Sequence, residues 1–204
     1  MITIIDYGLG NIRAFANVYD RLNIPVSVAR SADDVKNATK IILPGVGAFD
    51  HAMNKLIGSG MRATLDQRVL EHRVPVLGIC VGMQILAQSS QEGILPGLGW
   101  MDGAVKKFNV SFLQSKTQLP HMGWNTIHPH HRDPLLFNLD DDSRFYFLHS
   151  YYFHCSNPDC TIATTEYGIE FTSAARRHNI YGVQFHPEKS YQGGIQLLKN
   201  FADL

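Results

Sequence analysis

Three short runs, "ITII" (2–5), "KIILP" (40–44) and "VPVLGIC" (74–80), are almost wholly apolar, and stretches of helical period separate them. A strand apolar on both faces has to be covered on both faces. Such strands alternating with helices imply a parallel sheet wrapped by helices. The intervening segments agree. "GLGN" turns the chain after the first run, and residues 11–22 carry Phe15, Val18 and Leu22 at helical spacing. "IPVSVA" reads as a strand and "SADDVKNA" as a short capped helix. "AFDHAMNKLI" reads as a helix ending at Gly58, and "MRATLDQRVLEHR" as another. The last third changes character. "FYFLHSYYF", "TIATTEY", "EFTSAAR" and "IYGVQF" follow closely with little room for helices, so they are expected as antiparallel additions at one side; "GGIQLLKNFADL" closes as a helix. The expected fold is one α/β domain over 1–204, doubly wound, with a mostly parallel, flavodoxin-like central sheet. In such sheets ligands sit at the carboxyl ends of the strands.

The 18 basic and 18 acidic side chains cancel, so nothing draws the chain to nucleic acid or an anionic membrane. No apolar stretch is long enough to cross a bilayer. "MITIIDYGLGN" lacks the basic n-region of a signal peptide. The 3 cysteines, an odd count, then argue for a reducing cytoplasm and against a disulfide framework.

One of those cysteines ends an apolar run. Gly78-Ile79-Cys80-Val81-Gly82 has the G-x-nucleophile-x-G form of a nucleophile elbow, with cysteine in place of serine. The amphipathic helix expected to begin near Val81 has two uses. Its positive end favours the thiolate of Cys80. Its first free N–H groups, that of Val81 above all, can hold an oxyanion formed when the sulfur attacks a carbonyl. "LPGVGAF" (43–49), a glycine-rich turn after a strand, is a candidate for a second oxyanion donor, from Val46 or Gly47.

A base for this nucleophile stands in "YGVQFHPEKS" (181–190). Residues Tyr181 to Phe185 read as a strand, and Pro187 pushes His186 into an extended conformation. Residues two apart in extended chain share a side, so His186 and Glu188 can meet. A histidine to take the thiol proton and a carboxylate to fix its tautomer complete a triad.

"PGVGAF", "GICVGMQ" and "GVQFHPEKS", in that order, resemble the class I (triad) glutamine amidotransferases. The resemblance implies that Cys80, His186 and Glu188 hydrolyse the side-chain amide of L-glutamine through a glutamyl thioester. It implies that Gln84 helps hold the substrate, and that the amides of Ser150 and Tyr151 bind its backbone groups. It implies no cofactor. Finer marks are "DYGLGNIRAF", "PHMGWN", "FYFLHSYY" and Met83 after the second elbow glycine, where other branches usually carry histidine. These resemble the family's histidine-biosynthesis branch, the glutaminase subunits of imidazole glycerol phosphate synthases. Val81 departs from the commoner leucine, but only its amide is needed. The same resemblance implies a partner, the (β/α)₈-barrel cyclase of a heterodimer, met by Asn11, Trp124, Tyr146 and Lys189. Trp124 and Tyr146 also fit a half-buried core position.

The glutaminase pattern uses almost the whole chain, and no phosphate loop accompanies it. The ammonia acceptor is therefore expected to be another polypeptide. Two alternatives stay open: a paralogous glutaminase feeding a sugar-modifying synthase of surface-polysaccharide biosynthesis, and a catalytically silent regulatory module. Other signals carry less. "GLGNIR" lacks the third glycine of a dinucleotide fingerprint. "HPHHRD" (128–133) reads as a solvated loop rather than a metal site, and Cys155 and Cys160 read as free thiols.

Overall fold

The structure, a computed structural model, describes residues 1–109, 118–140 and 143–204. Its centre is an eight-stranded sheet. The first four strands are β1 (Ile2–Ile5), β2 (Val26–Ala29), β3 (Ile41–Gly45) and β4 (Val76–Cys80). All pair in parallel, in the order β2-β1-β3-β4. Every residue of β1, β3 and β4 is buried.

Helices cover this half. Helix α1 (Ile12–Arg21) is capped by Asn11, whose side chain accepts from the Ala14 amide, and it buries Phe15 and Tyr19. Helix α2 (Ala32–Val35) opens with a capping box between Ser31 and Asp34. Helix α3 (Phe49–Gly58) buries Phe49, Ala52, Met53 and Leu56, one face at helical spacing. "MRATLDQRVLEHR" is not one regular helix. Helix α4 (Arg62–Asp66) runs into a π-helical turn over Gln67–Glu71.

The elements of the last third pair less simply than expected. Strands β11 (Thr161–Tyr167) and β12 (Ile169–Arg177) are antiparallel, and a short β8 (His128–Pro129) joins β11. Strand β13 (Ile180–Val183), however, runs parallel to β4 with Val183 opposite Ile79, while antiparallel to β12. The expectation that "IYGVQF" is an antiparallel addition is thus corrected. A hairpin return from β12 restores the parallel direction, and both faces of β13 are buried.

Two smaller sheets lie beside this one. Strand β6 (Gly103–Lys107) pairs with β5 (Ser89–Ser90) and β10 (Tyr151–Cys155). Strand β7 (His121–Thr126) forms an antiparallel ribbon with β9 (Arg144–His149). The chain closes with α6 (Tyr191–Asp203). Cys155 and Cys160 are joined as a disulfide with Cα atoms 6.3 Å apart, so their reading as free thiols is corrected; Cys80 is the free cysteine among the described residues. The tight turn between β10 and β11 brings the two together, which spacing alone did not show. No described helix is long and apolar enough to cross a membrane.

Candidate active site

Strand β4 ends in a backbone turn that few residues adopt. Cys80 has φ 55° and ψ −113°, and the next residue starts a new helix. A non-glycine residue held at positive φ stores strain that the surroundings must overcome, a usual mark of a functional turn. The flanking glycines make the turn possible. A Cβ on Gly78 would stand 2.6 Å from the Gly82 carbonyl oxygen, and one on Gly82 would collide with the Leu43 carbonyl oxygen of β3. The helix that follows, α5 (Val81–Gln84), is a single buried turn rather than the longer amphipathic helix expected. One turn has a small dipole, so its contribution at Cys80 is local N–H groups more than a long helix field.

The parallel pairing of β13 with β4 carries the second half of the site to this turn. His186 follows β13 in extended conformation, φ −105° and ψ 91°. Its backbone N–H donates to the Tyr146 carbonyl at 2.8 Å, tying it to β9. The Tyr146 N–H donates to Ser190 Oγ at 3.0 Å, and that hydroxyl donates to the His186 carbonyl at 2.6 Å. His186 is therefore held through its own backbone on both sides. His186 Nδ1 lies 2.9 Å from Glu188 Oε1, with the two side chains 5% and 2% exposed. Burial alone lowers the pKa of His186, but hydrogen bonds to Cys80 and Glu188 and the charges of those groups outweigh it and raise it to about 10. Glu188 Oε2 has no hydrogen-bond partner among the described residues.

Cys80, His186, Val46, Gly47, Val81, Gln84, Ser150, Tyr151 and Lys189 line one cavity of about 380 Å³. The structure thus brings together the elbow, the glycine-rich turn after β3, the start of β10 and the histidine loop. Glu188 stands behind His186. Gln84 reaches across the floor, its Nε2 donating to the Tyr151 carbonyl at 3.0 Å and to Gln184 Oε1 at 3.1 Å.

Lys189 Nζ lies 5.5 Å from the centre of the Tyr146 ring. Trp124, directly opposite Tyr146 on the ribbon, stacks on Tyr191 with ring centres 5.0 Å apart. Met122, Leu148 and Tyr191 are exposed beside it at 65%, 38% and 78%. Asn11 sits outside the cavity, capping α1.

Several residues of the site went unread in the sequence. Gln184 is fully buried and its Nε2 lies 3.8 Å from Cys80 Sγ. Only the fold reveals it: Gln184 follows Val183, the register partner of Ile79 in the parallel pairing, and so stands across from Cys80. Glu92, Pro120, Leu148 and His149 also line the cavity. Glu92 Oε2 accepts from the Phe49 amide at 2.9 Å. Nothing in the local pattern around Glu92 marks it; only the folding of its loop over α3 does.

Comparison with known proteins identifies the family and the fold. The profile of the family described as "Glutamine amidotransferase class-I" matches residues 3–204. The chain is 60% identical to "Imidazole glycerol phosphate synthase subunit HisH" of Bdellovibrio bacteriovorus over 205 residues, covering all of both chains. It is 50% identical to the protein of the same name from Leptospira borgpetersenii, again over the full length of both. Among solved structures, PurLQS from Thermotoga maritima superposes with TM-score 0.73 at 16% identity, covering 99% of this chain and 97% of that one. A glutamine amidotransferase from Thermotoga maritima gives 0.63 at 16% identity, covering 99% and 82%. At these identities the two structures bear on the fold alone.

Proposed function

The chain belongs to the class I glutamine amidotransferases, and we propose that it is the glutaminase subunit of an imidazole glycerol phosphate synthase, supplying ammonia for histidine biosynthesis. The observation that carries this reading is the strained Cys80 turn facing the buried His186–Glu188 pair, in a chain similar over its full length to subunits of that name.

Each step follows from the groups in place. His186 takes the thiol proton, and Glu188 holds its Nδ1–H so that Nε2 faces the sulfur. Cys80 Sγ attacks the side-chain amide carbon of L-glutamine. The oxyanion is met by the backbone amides of Val81 and of Val46 or Gly47. His186 then gives its proton to the amide nitrogen, the C–N bond breaks, and ammonia leaves a glutamyl thioester on Cys80. Water, deprotonated by His186, adds to the thioester; glutamate leaves and the thiol is restored. Gln84 and the amides of Ser150 and Tyr151 hold the amino-acid end of the substrate. Glu92 supplies the carboxylate suited to its ammonium group.

The reading needs no cofactor and places the chain in the cytoplasm with its acceptor. That placement no longer rests on free thiols. The acceptor is a (β/α)₈-barrel cyclase in a heterodimer, docked on Trp124, Tyr146, Lys189 and Asn11. Exposed aromatics make good interface anchors. A closed interface serves the chemistry, because ammonia released into neutral water is mostly protonated and unreactive.

The test is glutamate release from glutamine by the purified chain, alone and with a histidine-pathway cyclase and its phosphoribosyl ligand. Strong stimulation is the expected result. Glutaminase activity that this cyclase never stimulates would move the acceptor elsewhere, to a sugar-modifying synthase first. No turnover with either, together with no labelling of Cys80 by a thiol-reactive glutamine analogue, would make the chain a silent regulatory module.

A further inference from the structure

Two histidines outside the triad are buried beside the cavity. His121 on β7 and His149 at the end of β9 are 2% and 6% exposed. Directly opposite in the ribbon, they place His121 Nδ1 3.0 Å from His149 Nε2. At one end, His121 Nε2 lies 3.3 Å from Asn125 Nδ2. At the other, His149 Nδ1 lies 2.8 Å from the Tyr151 carbonyl oxygen. An amide nitrogen only donates and a carbonyl oxygen only accepts. The direction of every bond is then settled: Asn125 donates to His121, the Nδ1–H of His121 donates to His149, and the Nδ1–H of His149 donates to Tyr151.

Both rings must be neutral and in the Nδ1–H form for this chain to exist. An added proton would set two donors face to face at one link or the other. The surroundings hold the same state. His121 lies between the rings of Phe147 and Tyr167, with centres 4.7 and 3.9 Å away, and His149 packs on Phe108 and Phe171. Burial lowers the pKa of His121 to about 4. For His149, burial first, then the charges of His121 and His186, lower it to about 3.

The acceptor at the end of the chain is significant. The Tyr151 carbonyl receives two donors, His149 Nδ1–H and Gln84 Nε2. Both of its lone pairs are filled by side chains that are themselves fixed, one by His121 and one by Gln184. Ser150 sits in the turn joining β9 to β10, and its own carbonyl accepts from the Phe108 amide at 3.3 Å. The bond from the His149 side chain to the carbonyl two residues on closes a ring that contains the two peptide units carrying the Ser150 and Tyr151 N–H groups, so their orientation is restricted with it.

We propose that His149, oriented by His121, is a positioning residue for substrate: it clamps the Tyr151 carbonyl and so aims the Ser150 and Tyr151 amides at the amino-acid end of the ligand. The ligand named here rests on the glutaminase reading above.

The variants are His149→Ala, which removes the donor, and His149→Asn, whose amide nitrogen can occupy the place of Nδ1. Kinetics are measured on the chain with its cyclase. His149→Ala is expected to raise KM for glutamine about tenfold or more with kcat changed by less than about threefold. His149→Asn should restore most of that loss. Alkylation of Cys80 by iodoacetamide, which uses neither amide, should proceed at wild-type rate in both. Nitrogen-15 spectra of the wild-type imidazoles at pH 7 should show His121 and His149 neutral, each protonated at Nδ1. An unchanged KM in His149→Ala, no recovery in His149→Asn, or slowed alkylation in both would overturn the proposal, as would Nε2–H or charged rings. If wild-type complex releases no glutamate, the glutaminase reading fails by itself. The tautomers then decide the clamp, Nδ1–H on both rings sustaining it and any other state removing it.

Discussion

Replacing Glu188 by glutamine keeps an acceptor near His186 Nδ1 and removes the charge. The pair is 2.9 Å apart and nearly solvent-free. At an effective dielectric of about 20, two unit charges at that separation attract by roughly 6 kcal/mol, an upper figure. The elevation of His186 from 6.5 to about 10 corresponds to a net of about 5 kcal/mol favouring the imidazolium, what remains after burial opposes the contributions of Cys80 and Glu188. Losing the Glu188 share should lower kcat/KM for glutamine on the order of 100-fold, about 3 kcal/mol, because the imidazolium must form in each half of the reaction. It should also leave a mark on stability. The folded-state pKa lies above the unfolded value, so the native state binds the extra proton. The stabilisation is complete below about pH 6.5 and is lost as pH rises toward 10. Urea unfolding of wild type and Glu188→Gln at pH 6, 8 and 10 is the assay, with glutamate release at pH 8 beside it. The wild type should be more stable by a few kcal/mol at pH 6, and the gap should close by pH 10. A gap that stays constant with pH would refute the buried ion pair. Full activity in Glu188→Gln would refute the role of the carboxylate.

Three further outcomes are expected. Gly82→Ala puts a methyl against the Leu43 carbonyl, with Leu43 and Pro44 carbonyl carbons 3.0 and 3.1 Å away; backbone cannot yield cheaply, so about 1–3 kcal/mol of stability and several degrees of Tm should go, and an unchanged melting curve would contradict the packing. His121 and His149 have folded pKa values of about 4 and 3, below the unfolded value, so stability is whole above about pH 6.5 and falls as pH drops toward 4. His149→Asn should flatten that slope by on the order of 2 kcal/mol between pH 6.5 and 4.5, and parallel curves would argue against a neutral buried ring. Thiol titration of the denatured, unreduced chain should find one reactive cysteine, Cys80, and three only after reduction; three at the outset would remove the Cys155–Cys160 bond.

Local pattern alone specified much of this protein. Short, almost wholly apolar runs must be covered on both faces, so β1, β3 and β4 and their parallel pairing follow from "ITII", "KIILP" and "VPVLGIC". The Cys80 elbow was legible because a residue at positive φ there needs small neighbours on both sides; the His186–Glu188 pair forms as expected, but through a 3-10 turn over Pro187–Lys189 that the extended His186 caps rather than through extended chain. Tertiary structure decided what depends on partners distant in sequence. Whether β13 lies parallel to β4 is set by burial of both its faces, and that choice alone brings His186 and Gln184 to Cys80. The single turn of α5, the Cys155–Cys160 bond, Glu92 at the cavity wall and the His121–His149 pair arise the same way. Each is a meeting of segments whose own patterns are satisfied without it, and only packing into one core makes them neighbours.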